Sequence, residues 1–163
     1  MKPTLVNKSD DGPILNSIIS CIVSIECSEY FSEHLGKSQP EQKSYVTEFQ
    51  TCLKSVFAHV MPDVTWSVEY RPRVDSGDSI DIFGKGSNFV VAVELDKNRA
   101  DQVAKKFVSR MAILPTTTIY FISLCYPGTE HMNKSRSECV KYFGYCATLA
   151  SRMENYYAGF IIE

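Results

Sequence analysis

The sequence predicts an α/β fold in which helices flank one mixed central β-sheet. Three observations support this: apolar stripes at helical spacing, β-branched and aromatic runs between them, and an order of helix, helix, three strands, helix, strand, helix and strand. With 163 residues, 44% hydrophobic and 22% charged, the chain has the composition of one globular domain. We expect one domain over 1–163, with an N-terminal helix and linker (1–37) and a core (38–163).

The first half of the chain is predicted to hold two helices and a three-stranded meander. The first ten residues are expected to be a polar lead-in. The first helix follows from isoleucines at helical spacing (Ile14, Ile18, Ile22 and Ile25). The second has the capping-box spacing of Ser38 and Glu41 at its start and Pro62 at its end. The strands are "DVTWSVEYRP", "DSIDIFG" and "NFVVAVELD", the last two joined by the turn "GKGSN".

The second half alternates helices with strands. A helix over about 98–114 ends at Pro115, and "TTTIYFISLCY" is apolar on both faces, as in a central buried strand. A helix over about 135–154 and the strand "YYAGFII" follow.

Composition narrows the class of protein. Six cysteines without a CxxC pair lie in apolar runs, which predicts reduced thiols in or near the core and no structural zinc. A net charge of -2 and a pI of about 5.9 mean that a nucleic-acid partner would need a local basic patch. The early apolar segment 13–27 is short and interrupted by polar residues, and Asp10 and Asp11 do not suit a signal peptide. We therefore expect a cytoplasmic protein with no membrane partner.

Three carboxylates are predicted to meet at one end of the sheet. Because strand side chains alternate, Glu94 and Asp96 share a face at the end of the third strand. If that strand pairs with the second across "GKGSN", Asp81, or alternatively Asp78, approaches Glu94. Carboxylates this close repel unless protonated or neutralised, and hard oxygen ligands suit Mg²⁺ or Mn²⁺. The simpler alternatives are that Asp81 is solvated and that Asp96 caps the following helix.

The pattern resembles the core of the PD-(D/E)XK nuclease superfamily, the restriction-endonuclease-like fold. That family carries an Asp on one strand and an acidic-x-Lys tripeptide at the end of the next, after a lead-in helix and before a helix, strand, helix and strand. Residues from about 41 to 162 match this order. The resemblance implies a three-layer core with an extra N-terminal helix in front of it.

The resemblance also implies roles for individual residues. Asp81 matches the first metal-binding Asp and Glu94 the second acid, while Asp96 stands where the family usually has Lys. This E-x-D variant is compatible with metal-dependent cleavage, with Asp96 as a further metal ligand. Lys97, or Lys105 on the following helix, could replace the catalytic lysine, and an ordinary solvated lysine is the alternative for each.

Other positions match the family more weakly. Glu48 matches an acid of the lead-in helix that can hold a second metal or a metal-bound water, and a solvated helix position is its alternative. Gln102 resembles a Gln near the site of some members. Residues 96–110 carry a local charge of +3, as contacts to phosphates require. The predicted nucleic-acid contacts are Lys97, Arg99, Gln102, Lys106, Arg110, Arg71 and Arg73, and a solvated basic helix face is the alternative.

The leading hypothesis is a Mg²⁺-dependent DNA endonuclease of restriction or defence type, in which Mn²⁺ may replace Mg²⁺ and RNA stays open as a substrate. A chain this short would be expected to act as a homodimer to cut both strands. The second hypothesis is a catalytically silent member of the fold that binds nucleic acid or serves as a structural subunit. The third is an unrelated interaction domain whose carboxylates are capping groups. No G-x-S-x-G elbow or Walker pattern supports serine hydrolysis or nucleotide binding.

Overall fold

A computed structural model describes residues 1–72, 77–97, 99–128 and 132–163, with the backbone alone for 132–135. Its strands are β1 (Pro3–Lys8), β2 (Thr65–Tyr70), β3 (Ile80–Lys85), β4 (Phe89–Lys97), β5 (Thr118–Tyr126) and β6 (Tyr156–Ile162). Its α-helices are α1 (Pro13–Val23), α2 (Ser28–Phe31), α3 (Gln39–Val60), α4 (Ala100–Ile113) and α5 (Met132–Arg152), and a 3₁₀ turn spans His34–Gly36.

The strands form one open mixed sheet in the order β1-β6-β5-β4-β3-β2. The β2-β3-β4 meander is antiparallel, β4, β5 and β6 run parallel, and β1 returns antiparallel to β6. Each parallel connection passes through a helix, α4 before β5 and α5 before β6, as parallel neighbours require. The α/β class with flanking helices is confirmed.

Helices cover both faces of the sheet because its central strands are apolar on both sides. Val91, Val93 and Leu95 of β4 pack into a core with α1 and α3. Val90 and Ala92 pack into a second core with α4 and α5. The alternation predicted for β4 is therefore confirmed, and it assigns Glu94 and Asp96 to the α4 face.

The prediction for the N-terminus was wrong. Residues 3–8 form the edge strand β1, whose register with β6 runs from Pro3–Ile162 to Lys8–Ala158. Backbone hydrogen bonds between Lys2 and Glu163 extend this pairing. An edge strand has one paired side and few buried positions, so its sequence lacks the apolar run that marked the inner strands.

Two further expectations concern local structure. The Glu41 carboxylate accepts hydrogen bonds from the Ser38 backbone N–H (2.9 Å) and hydroxyl (2.6 Å), so the predicted capping residues do meet at the start of α3. Five cysteines are buried and Cys52 is half-buried, which confirms their place in or near the core.

In the described part of the chain, no single helix is long and apolar enough to cross a membrane. Helix α1 and residues 28–36 reach the required length and apolar content only when taken together, and the two are bent by 64° relative to each other.

Candidate active site

The site begins where strands β3 and β4 stop pairing. Their ladder ends at Ile82–Val93, one residue before Asp81 would face Glu94. Beyond that point an Asp81 carboxylate oxygen, Oδ2, accepts the backbone N–H of Leu95 at 2.7 Å. The side chain thus takes over a backbone hydrogen bond of the sheet, which fixes this carboxylate between the two strands.

Helix α4 places a lysine among the three carboxylates. Lys106 Nζ lies 2.9 Å from Glu94 Oε2, 3.1 Å from Asp96 Oδ1 and 3.3 Å from Asp81 Oδ2. It also donates a hydrogen bond of 2.9 Å to the backbone carbonyl of Leu95. One ammonium therefore lies in a shell of four oxygens, which we call the acid cluster (Asp81, Glu94, Asp96 and the Leu95 carbonyl).

Arg110, one helical turn after Lys106, holds the other side of Glu94. Its Nε donates to Glu94 Oε1 at 2.8 Å, its Nη1 to Asp78 Oδ1 at 2.8 Å and its Nη2 to the Ser79 carbonyl at 2.9 Å. This guanidinium joins the chain before β3 to the end of β4. Asp78 therefore reaches Glu94 through Arg110.

Burial makes the charges of the cluster interdependent. Glu94 is 1% exposed and Asp96 4%. Burial, and then repulsion by Asp81, raise the pKa of Glu94 to about 8, against the attraction of Lys106 and Arg110. Burial likewise raises the pKa of Asp96. Burial alone would lower the pKa of Lys106, but attraction by Asp81, Glu94 and Asp96 outweighs it and the pKa rises, so Lys106 stays protonated.

The opposite side of Asp81 contacts α3. Gln50 Nε2 donates to Asp81 Oδ1 and to Glu69 Oε1, both at 3.1 Å. Glu69 adopts a left-handed backbone conformation (φ 50°) where β2 passes Asp81, and its carboxylate also accepts the Ser79 hydroxyl at 2.8 Å. A buried amide thus positions Asp81 from the face opposite Lys106. Sequence reasoning found neither Gln50 nor Glu69.

Several residues predicted to act with the acids lie elsewhere. Lys105 is exposed on α4, and Glu48 is exposed on α3, where it accepts the Ser44 hydroxyl at 2.9 Å. Lys97 reaches the opposite face and donates to Gln42 at 2.8 Å. Asp96 contacts Lys106, so it is not the cap of α4; the N-cap position belongs to residue 99.

The predicted basic patch is largely neutralised within the fold. Lys106 and Arg110 are committed to the acid cluster. Asp101 pairs with Arg99 at 2.7 Å and accepts a hydrogen bond from Gln102 at 3.0 Å. Arg71 is exposed, and residue 73 lies outside the described residues. Of the patch between 96 and 110, Lys97 and Lys105 form no ion pair with a described carboxylate.

The donor set of the acid cluster suits a hard divalent cation. Carboxylate and carbonyl oxygens are the ligands that Mg²⁺ and Mn²⁺ prefer, and Asp96 Oδ2 is buried without a hydrogen-bond partner among the described residues. As the described side chains stand, no three or more His, Cys, Asp or Glu are arranged to hold a metal ion. The place between the carboxylates is taken by the Lys106 ammonium, so a divalent cation would have to displace it.

Comparisons with family models, with curated proteins and with solved structures each found no significant match to this chain.

Proposed function

We propose that this protein is a divalent-metal-dependent endonuclease that hydrolyses DNA phosphodiester bonds at the acid cluster. The observation that supports the proposal best is the shell of four oxygens around Lys106, because it collects three carboxylates and a carbonyl at one sheet end. The order of elements from α3 to β6 and the chain's resemblance to PD-(D/E)XK nucleases agree with it.

Asp81, Glu94, Asp96 and the Leu95 carbonyl would hold Mg²⁺. Bound there, Mg²⁺ would supply Lewis-acid activation of the attacking water and stabilisation of the charge that grows on the phosphate. Hydrolysis forms a bond from the water oxygen to phosphorus and breaks one P–O ester bond. The products are a phosphate monoester and a hydroxyl, one on each new end of the strand.

Three side chains around the cluster, those of Lys106, Arg110 and Gln50, have separate tasks in this proposal. Lys106 takes the part of the lysine missing at position 96: displaced from between the carboxylates when the metal binds, its ammonium would keep its proton and donate hydrogen bonds to the phosphate or the attacking water. Arg110 and Gln50 position Glu94 and Asp81 from outside the oxygen shell. Preorganised charges of this kind are the main source of catalysis in phosphoryl chemistry.

The same contacts favour a second candidate function. Because Lys106 and Arg110 neutralise Glu94 without a metal, the cluster could be a purely structural ionic network in a silent member of the fold that binds nucleic acid. This candidate predicts DNA binding with no turnover in any divalent cation.

Cleavage of supercoiled plasmid DNA in Mg²⁺ or Mn²⁺ separates the two. The wild-type protein is compared with Glu94→Gln, which keeps the shape of the side chain, and with Glu48→Gln, a matched change at an exposed carboxylate. Nicking or linearisation by wild type and Glu48→Gln, and none by Glu94→Gln, would support the proposal. Absence of metal-dependent cleavage by the wild type would overturn it.

A further inference from the structure

A pocket of about 220 Å³ opens on the α3 face at the ends of β4 and β5. The pocket is lined by Gln39, Gln42, Lys43, Val46, Lys97 and Tyr126. Lys97 and Tyr126 are register partners on parallel neighbouring strands, one residue beyond the pair formed by Asp96 and Cys125. The pocket and the acid cluster therefore lie on opposite faces of the same sheet end. None of the six lining residues is acidic.

Among the described residues, no carboxylate compensates the charge of the two lysines of the pocket. Lys97 donates a hydrogen bond of 2.8 Å to Gln42, a neutral partner, and Lys43 is exposed. Neither ammonium forms an ion pair with a carboxylate in the described part of the chain. In a protein with a net charge of -2, two such cations at one concavity make a local site for an anion.

Tyr126 adds a fixed hydrogen-bond donor. Its ring is stacked on Phe31 with centroids 5.0 Å apart and meets His34 edge-on at 5.6 Å, so the packing holds its orientation. Its hydroxyl has no hydrogen-bond partner among the described residues. Burial, together with the charges of Asp81 and Asp96, raises the pKa of Tyr126 to about 12, so the hydroxyl keeps its proton at neutral pH.

We infer that this pocket binds a backbone phosphate of the DNA strand that is cleaved at the acid cluster. The two ammonium groups, the amide side chains and the phenol can all donate hydrogen bonds to phosphate oxygens. A nucleobase would need a longer apolar or aromatic surface to stack on. The inference rests on the proposed function. It makes the pocket a positioning site, which would fix the register of the strand and take no part in the chemistry.

The test is DNA binding measured by fluorescence anisotropy, with labelled duplex of about 20 base pairs in CaCl₂ over about 50 to 200 mM NaCl. Lys97→Met and Lys43→Met are each expected to weaken binding about tenfold, and to lower the slope of log affinity against log salt by about 0.9. Tyr126→Phe keeps the ring stack and is expected to weaken DNA binding about three- to tenfold, with the salt slope unchanged. Lys85→Met, at an exposed lysine that ends β3 at the other end of the sheet, is the charge-matched control.

Plasmid cleavage measured in parallel distinguishes the inference from the proposed function. If the wild type cleaves and the pocket variants bind and cleave like Lys85→Met, the pocket assignment is wrong and the nuclease proposal stands. If the wild type binds without cleaving and the pocket variants lose affinity, the pocket stands and the nuclease proposal falls. If the wild type neither binds nor cleaves duplex DNA, both are refuted. Support for both requires a raised KM in the pocket variants with kcat nearly unchanged.

Discussion

Lys106→Met should destabilise the fold strongly, because it leaves three buried or half-buried carboxylates with Arg110 as the remaining cation that contacts them among the described residues. Each contact of about 3 Å between the ammonium and a carboxylate is worth on the order of 5 kcal/mol of attraction at an effective dielectric constant of 20. Desolvation offsets most of this gain. Removing one partner of a buried ion pair costs about 3–5 kcal/mol, and we expect about 4 kcal/mol here.

Urea denaturation above pH 8, where the Glu94 carboxylate is ionised, measures this loss. With a slope of about 2 kcal/mol per molar urea, the midpoint should fall by about 2 M. Lys105→Met is the control, since it removes the same charge from an exposed neighbour on α4 and should change the free energy of unfolding by at most about 0.5 kcal/mol. The gap between the two variants should narrow as pH falls, because protonation removes the repulsion among the carboxylates.

Mg²⁺ adds a second arm to the experiment. If the oxygens around Lys106 suit a divalent cation, millimolar Mg²⁺ should restore part of the lost stability in Lys106→Met and have a smaller effect on the wild type. Equal stability of Lys106→Met and Lys105→Met would refute the ionic account of the cluster. A destabilised Lys106→Met that Mg²⁺ leaves unchanged would refute the assignment of a cation site.

Three further predictions concern the cluster and the packing around it. Arg110→Met should cost about 3 kcal/mol in urea denaturation and Arg152→Met, at an exposed arginine, almost nothing; equal effects would contradict the role given to Arg110. Because the folded-state pKa of Glu94 lies above its usual 4.5, at about 8, its contribution to stability is fully present below pH 4.5 and is lost as pH rises through 8. Glu94→Gln should flatten this decline, and an unchanged pH profile would contradict it. Gly159→Ala should cost about 1–3 kcal/mol by thermal denaturation, since its Cβ would lie 2.5 Å from a buried aromatic ring, whereas Gly36→Ala meets open space and should be neutral.

The elements with strong periodicity could be predicted from the sequence. The β4 alternation placed Glu94 and Asp96 on one face, and the turn after β3 brought Asp81 toward them, because strand register is a local property of the meander. The edge strand β1 could not be found in this way, since its partner β6 lies at the other end of the chain.

Helix geometry could have predicted that Lys106, and not Lys105, joins the acid cluster. Val103, Phe107 and Arg110 are buried on one face of α4, and Lys106 shares that face while Lys105 points away from it. Glu69 is different. It reaches the site through a left-handed backbone conformation in β2, which strand periodicity does not encode.

Plasmid cleavage by Lys106→Met beside Lys105→Met, in Mg²⁺ and under conditions where both are folded, tests the central claim most directly. The account predicts that the wild type and Lys105→Met nick or linearise the DNA, and that Lys106→Met is slower by about a hundredfold or more. Cleavage by Lys106→Met at the wild-type rate, or no metal-dependent cleavage by any of the three proteins, would contradict it.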